Sequence, residues 1–140
     1  MINTFRDKYD WLSNFYKVKI VIKGVEFNSV ENAYMSMKST DVEWVKFCEE
    51  KSPVLVKKKS RSIDVRSDWD DIKLKAMDHC LKQKFNQEPF RTKLINTLDE
   101  NIVEGNWWGD VFWGVNLKVD PNVGENHLGR LIMEIRKELV

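Results

Sequence analysis

The sequence predicts a mainly α chain of the α+β class, a compact multihelical single domain over residues 1–140 with a small β-hairpin near its start. Three observations predict it. Several stretches repeat apolar residues at helical spacing, one stretch alternates around a glycine, and no linker, internal repeat or second domain interrupts the 140 residues. A chain of this length buries roughly two thirds of the surface its unfolded form exposes, enough for a core and a pocket. Hydrophobic residues are 42% and charged residues 32% of the sequence, without the apolar depletion that marks disorder.

Val18 to Lys23, Gly24 and Val25 to Phe27 read as a short hairpin. Ser29 then precedes Val30, Ala33, Tyr34 and Met37, spaced i, i+3, i+4, i+7, so Ser29 is expected to cap a helix over residues 30–39. Asp41 caps a second helix through about Glu50. Pro53 opens a short helix carrying the basic run Lys57, Lys58, Lys59 and Arg61. Ser67 to Asp70 has the S-x-x-D spacing of a capping box and leads into a long amphipathic helix ending at Phe85. Pro89 starts a shorter helix whose apolar face includes Phe90, Leu94, Ile95 and Leu98, and Asp99-Glu100-Asn101 ends it. Gly105 to Gly124 holds four glycines, Pro121 and three tryptophans, poor helix material in a long irregular segment of the kind that is often functional. Asn126 is expected to cap a closing helix with the stripe Leu128, Leu131, Ile132, Ile135 and Leu139.

Composition narrows the function classes. Lys plus Arg total 23 against 22 for Asp plus Glu, so no global field draws the chain to nucleic acid or anionic lipid, and any anion site is local. The start, MINTFRDKYDW, lacks the basic and apolar regions of a signal peptide, and no stretch approaches the ~18 apolar residues of a membrane span. A soluble, cytoplasmic protein with no membrane partner is expected. Cys48 and Cys80 are far apart, and His79 and His127 are isolated, so neither a disulfide scaffold nor a metal site is expected.

Several residues have two readings. Asn14, between Leu12 and Phe15, is a turn former bonding its own backbone or a polar group set in an apolar wall. Glu31 is an ordinary first-turn acid favoured by the helix dipole, or a partly desolvated carboxylate on the border of the buried face, suited to general acid or base work. Trp69 pins a helix end to the core or forms a stacking wall for a base. Glu104 to Gly114 puts two carboxylates among four large aromatics and flexible glycines. That composition suits a sugar or nucleotide pocket, or a loop anchored by its tryptophans. The Lys57 to Arg61 run is a solvated surface, or Arg61 serves a phosphate.

In this order the motifs resemble the NADAR (YbiA-like) family over nearly the whole chain. They stand as Leu12 to Phe15; Val30-Glu31 with Ala33-Tyr34 and Lys38; Arg61, Arg66 and Asp68 to Asp70; Lys84-Phe85; Ile102 to Glu104; Asp110 with Trp113-Gly114; and Asn126 with Leu128 to Arg130, Met133-Glu134 and Arg136. Each motif is weak alone, and together and colinear they are specific. The resemblance implies a mainly helical YbiA-like fold with a small β element. It also implies an N-glycosidase acting on a ribose C1′–N bond, in phosphorylated ribosylamino-pyrimidines or in ADP-ribose attached to guanine bases of nucleic acid.

It further makes Glu31 and Asp110 the candidate catalytic carboxylates, Trp69 and Trp113 the pocket walls, and Asn14, Lys38 and Arg61 the polar and phosphate contacts. Phe15, Glu104, Gly114 and Asn126 complete the expected substrate-binding set. The scheme requires no cofactor. Its partner is a small ribosyl phosphate or ADP-ribose, free or on nucleic acid, and the alternative is a non-catalytic module binding ADP-ribose or an NAD-type nucleotide. The chain has Asn32, Ser39 and Ser60 where family members often have His, an aromatic and Gly, and its 115–125 loop is long. These departures bear on substrate identity.

Overall fold

The computed structural model describes residues 1–140, which form two compact units, one of Asn14–Lys84 and one of Met1–Ser13 with Phe85–Val140. As expected, the chain is mainly helical with one antiparallel hairpin.

In the first unit, β1 (Lys17–Ile22) pairs antiparallel with β2 (Val25–Ser29). Lys23 and Gly24 join them with φ of 50° and 82°, the paired positive values of a tight turn whose twist matches the strands. Val18, Ile20 and Phe27 point into the core, while Lys19 and Glu26 pair outside at 3.0 Å. Ser29 then caps α1 (Val30–Ser36) through Asn32 N–H at 3.0 Å, as its spacing predicts. The helix closes at Ser36, three residues short of the expectation. α2 (Val42–Glu50) begins at the Asp41 cap, and α3 (Pro53–Lys59) has Pro53 in its first turn and Ser52 as cap.

Arg61 falls past α3, in the 3-10 turn Ser60–Ser62. α4 (Trp69–Phe85) starts one residue later than a Ser67 cap requires. Asp68 occupies the preceding position, and Arg66 holds its carboxylate through two bonds of 2.6 and 3.0 Å. α1 packs against α2, α3 and the hairpin, which buries Val30, Ala33 and Tyr34.

The second unit holds α5 (Phe90–Ile95), the two-residue parallel strands β3 (Gly105–Asn106) and β4 (Val115–Asn116), and α6 (His127–Leu139). α5 packs on α6, burying Phe90, Leu94, Ile132 and Ile135. Leu98, expected on the apolar face of α5, is 76% exposed because the helix stops at Ile95 and Leu98 turns out with φ 55°. Two features were not anticipated: a 3-10 segment over Asp7–Leu12, and the β3–β4 pairing inside the glycine-rich region. No helix is long and apolar enough to cross a membrane.

Candidate functional site

The expected site residues fall into two groups, one in each unit. In the Asn14–Lys84 unit the centre is Glu31, in the first turn of α1 and only 6% exposed. Its N–H donates to the Asn14 carbonyl at 3.0 Å, which satisfies one of the donors that a helix start leaves over and fixes Asn14 beside it. The Asn14 side chain donates to Met77 Sδ at 3.6 Å, and no donor of the chain reaches its buried Oδ1.

The Glu31 charge is felt by three neighbours. Burial pushes the Cys48 and Cys80 thiols up to about 12, and the carboxylate reinforces that shift, so both remain protonated and are poor nucleophiles. Burial also lowers Lys38 from its ordinary value, with Glu31 pulling it back up and Lys73 pushing it further down.

The outer members of this group differ in placement. Trp69 is 8% exposed and tilts against Tyr34 with centroids 5.1 Å apart, so its ring is chiefly a core contact. Phe15 keeps 36% of its surface exposed, with Lys57 Nζ 5.7 Å from its ring centroid. Arg61 is exposed.

The residues that depart from the family pattern have local bonding roles. The Asn32 amide donates to the Cys48 and Lys51 carbonyls at 2.8 and 2.7 Å, which fastens α1 to the end of α2. Ser60 Oγ donates to the Lys57 carbonyl at 2.7 Å, and Ser39 Oγ accepts from Asp41 N–H at 3.1 Å.

In the other unit, Glu104, Asp110, Trp113, Gly114 and Asn126 come together through main-chain geometry. The fully buried Asn106 donates to the Asp110 carbonyl at 2.8 Å and accepts its N–H at 3.0 Å. Asp110 Oδ1 in turn accepts from Phe112 and Trp113 N–H at 3.1 and 2.9 Å. One oxygen of this candidate carboxylate therefore builds the loop. Trp113 stands edge-on to Phe112 at 4.9 Å.

Gly114 is obligatory by space, since a Cβ there would lie 2.1 Å from the Glu104 carbonyl. Asn126 is not the side-chain cap the sequence predicted. It sits at φ 54°, accepts from Glu104 N–H at 3.0 Å and donates to the Ile102 carbonyl at 3.0 Å, while the Phe112 and Trp113 carbonyls take the first N–H groups of α6. Asn106 and Lys73 were missed as contributors. Asn106 could have been flagged as an amide next to Gly105 in an apolar stretch, whereas nothing local marks Lys73.

A family model described as the NADAR domain matches residues 2–140. The chain is 31% identical over 137 residues to a riboflavin biosynthesis protein of Vibrio vulnificus, covering 95% of this chain and 36% of that protein, so it spans about a third of that relative. It is 31% identical over 140 residues to the N-glycosidase YbiA of Shigella boydii, covering 95% of this chain and 83% of that one. The NMR structure of Escherichia coli YbiA superposes with a TM-score of 0.82 at 28% identity, covering 99% of this chain and 86% of that chain.

Proposed function

The chain belongs to the NADAR domain family, and from that premise we propose that it is an N-glycoside hydrolase acting on a ribose C1′–N bond. The observation that carries this reading is the burial of Glu31 in the first turn of α1, beside Asn14 and within electrostatic reach of Lys38. As the C1′–N bond breaks, its electron pair leaves with nitrogen and positive charge develops on the ribose ring. A carboxylate out of water stabilises that charge strongly because little solvent screens it. Water then adds to C1′, its proton passes to a base or to the departing nitrogen, and the products are the free sugar and the free amine or base.

Glu31 is the stabilising or water-activating carboxylate in this scheme. Asp110, with one oxygen committed to Phe112 and Trp113, acts by holding the loop that presents Trp113. The similarity to a riboflavin biosynthesis protein and to an N-glycosidase supports a phosphorylated ribosylamino-pyrimidine as substrate, with ADP-ribosylated guanine as the other arm of the test.

The test is product release, followed by chromatography and mass spectrometry, from each substrate with wild type and Glu31→Gln. Release lost in the mutant supports the reading and fixes the substrate branch. Equal release by both proteins removes Glu31 from the mechanism. ADP-ribose binding without release from either substrate leaves a non-catalytic nucleotide-binding module.

A further inference from the structure

α1 is only seven residues long, too short to hold its own start without outside ties. Those ties converge on the residue after Glu31. Asn32 is 1% exposed, and both hydrogens of its side-chain amide are used. Nδ2 donates to the Cys48 carbonyl at 2.8 Å and to the Lys51 carbonyl at 2.7 Å, while Oδ1 accepts from Ser29 Oγ at 2.7 Å. Ser29 Oγ also accepts Asn32 N–H at 3.0 Å, so the cap and the amide hold each other. The Cys48 carbonyl is among those that the end of α2 leaves without an intrahelical partner, and Lys51 directly follows that end. One neutral side chain thus closes the C-terminal end of α2 and ties it to the first turn of α1.

Glu31 stands between two ties. Its own N–H is held by the Asn14 carbonyl at 3.0 Å, and the next residue is held by α2. The side chains of residues 31 and 32 point about 100° apart around the helix, so the Asn32 amide fixes the main chain from which the carboxylate projects. An amide suits this place because it donates twice from one uncharged nitrogen, whereas a hydroxyl donates once and a carboxylate not at all.

We propose that Asn32 is a positioning residue for Glu31, acting on the chemical step and not on substrate affinity; this rests on the N-glycosidase reading above. A carboxylate stabilises developing charge at C1′ only from the right distance, and a misplacement of about 1 Å can lower the rate by about a hundredfold.

The experiment is steady-state kinetics of wild type, Asn32→Leu, Asn32→Ser and Asn32→His on the substrate that wild type hydrolyses, together with hydrogen exchange of the Glu31 amide by NMR. Asn32→Leu removes the tie at nearly constant size, and Asn32→Ser removes it while leaving room for water on the two carbonyls. Asn32→His returns a ring N–H. All are read well below their melting temperatures. In the Leu and Ser variants kcat is expected to fall by about ten- to a hundredfold with KM within about twofold of wild type, and Glu31 N–H to lose protection. Asn32→His is expected to recover most of the rate and the protection. A folded Leu or Ser variant with wild-type kcat, a loss seen in KM alone, or a folded His variant as slow as the other two overturns the proposal. A wild type that hydrolyses neither substrate removes the hydrolase reading alone. The tie is then judged on exchange, where unchanged protection of Glu31 N–H in the Leu and Ser variants overturns it.

Discussion

The α1 segment and the 104–114 loop each present a carboxylate from a family motif, yet the two are held in different ways. Glu31 is placed by a helix whose cap, first-turn bond and neighbours use other atoms: Ser29 Oγ, the Asn14 carbonyl and the Asn32 amide. Asp110 is placed by its own side chain, which accepts two main-chain N–H groups and so is part of the scaffold it stands on. The difference separates roles. A group whose position is secured by its neighbours can lose its charge with the fold intact, whereas a group that secures its neighbours must keep an acceptor in the same place.

The largest effect that would sharpen this contrast is in Glu31→Gln, an isosteric change that removes the charge. Turnover is expected to fall by about a thousandfold or more, while thermal unfolding stays close to wild type. Both readouts are needed, because an unfolded mutant would place Glu31 with Asp110 among the scaffold residues. Next comes Gly114→Ala. Its new Cβ would meet the Glu104 carbonyl at 2.1 Å and Asn106 Nδ2 at 2.8 Å, so a loss of about 2–3 kcal/mol is expected in denaturant unfolding. Gly109→Ala is the control, since that site has φ 83° but nothing within 4 Å, and only backbone strain of about 1 kcal/mol is expected.

Asp110→Asn should have a smaller effect, because an amide oxygen still accepts from Phe112 and Trp113 N–H. A fall in turnover of less than about tenfold is expected. A loss as deep as that of Glu31→Gln, with the fold retained, would break the comparison and make both carboxylates chemical.

How much of this was legible follows from how local each signal is. Ser29, Asp41 and Pro53 announce helix starts within three residues of themselves, and the structure places all three as read. The hairpin is equally local, with its turn at Lys23-Gly24. Asn126 was misread because its bonds go 22 and 24 residues back along the chain, to Glu104 and Ile102, and no window around Asn126 contains them. β3 and β4 are too short for alternation to reveal and exist only as a pair. Glu31 was placed at the border of a buried face by periodicity alone. Its burial to 6% exposure comes from other elements packing on α1, which no pattern within α1 encodes. Asp110 had a readable local signal, an Asp two and three residues ahead of the N–H groups it binds, but the aromatics around it drew the pocket reading instead.

The smallest expected effect concerns Lys38 and separates its electrostatic cost from any role in binding. Burial lowers its folded-state pKa below the ordinary 10.5, so the charged form is disfavoured in the native protein. Below the folded pKa both states carry the proton, and the folded state bears the full cost. As pH rises from the folded pKa toward 10.5 the unfolded chain holds more protons than the folded one, so Lys38 is relieved and stability rises with pH through that window. Lys38→Met keeps the aliphatic bulk and removes the charge. It is expected to raise the melting temperature modestly at pH 7, and the gain over wild type should shrink as pH approaches 10.5. A gain that does not depend on pH would mean that Met simply packs better there. A loss at pH 7 would mean that attraction to Glu31 outweighs burial, and the order of causes at Lys38 would be reversed.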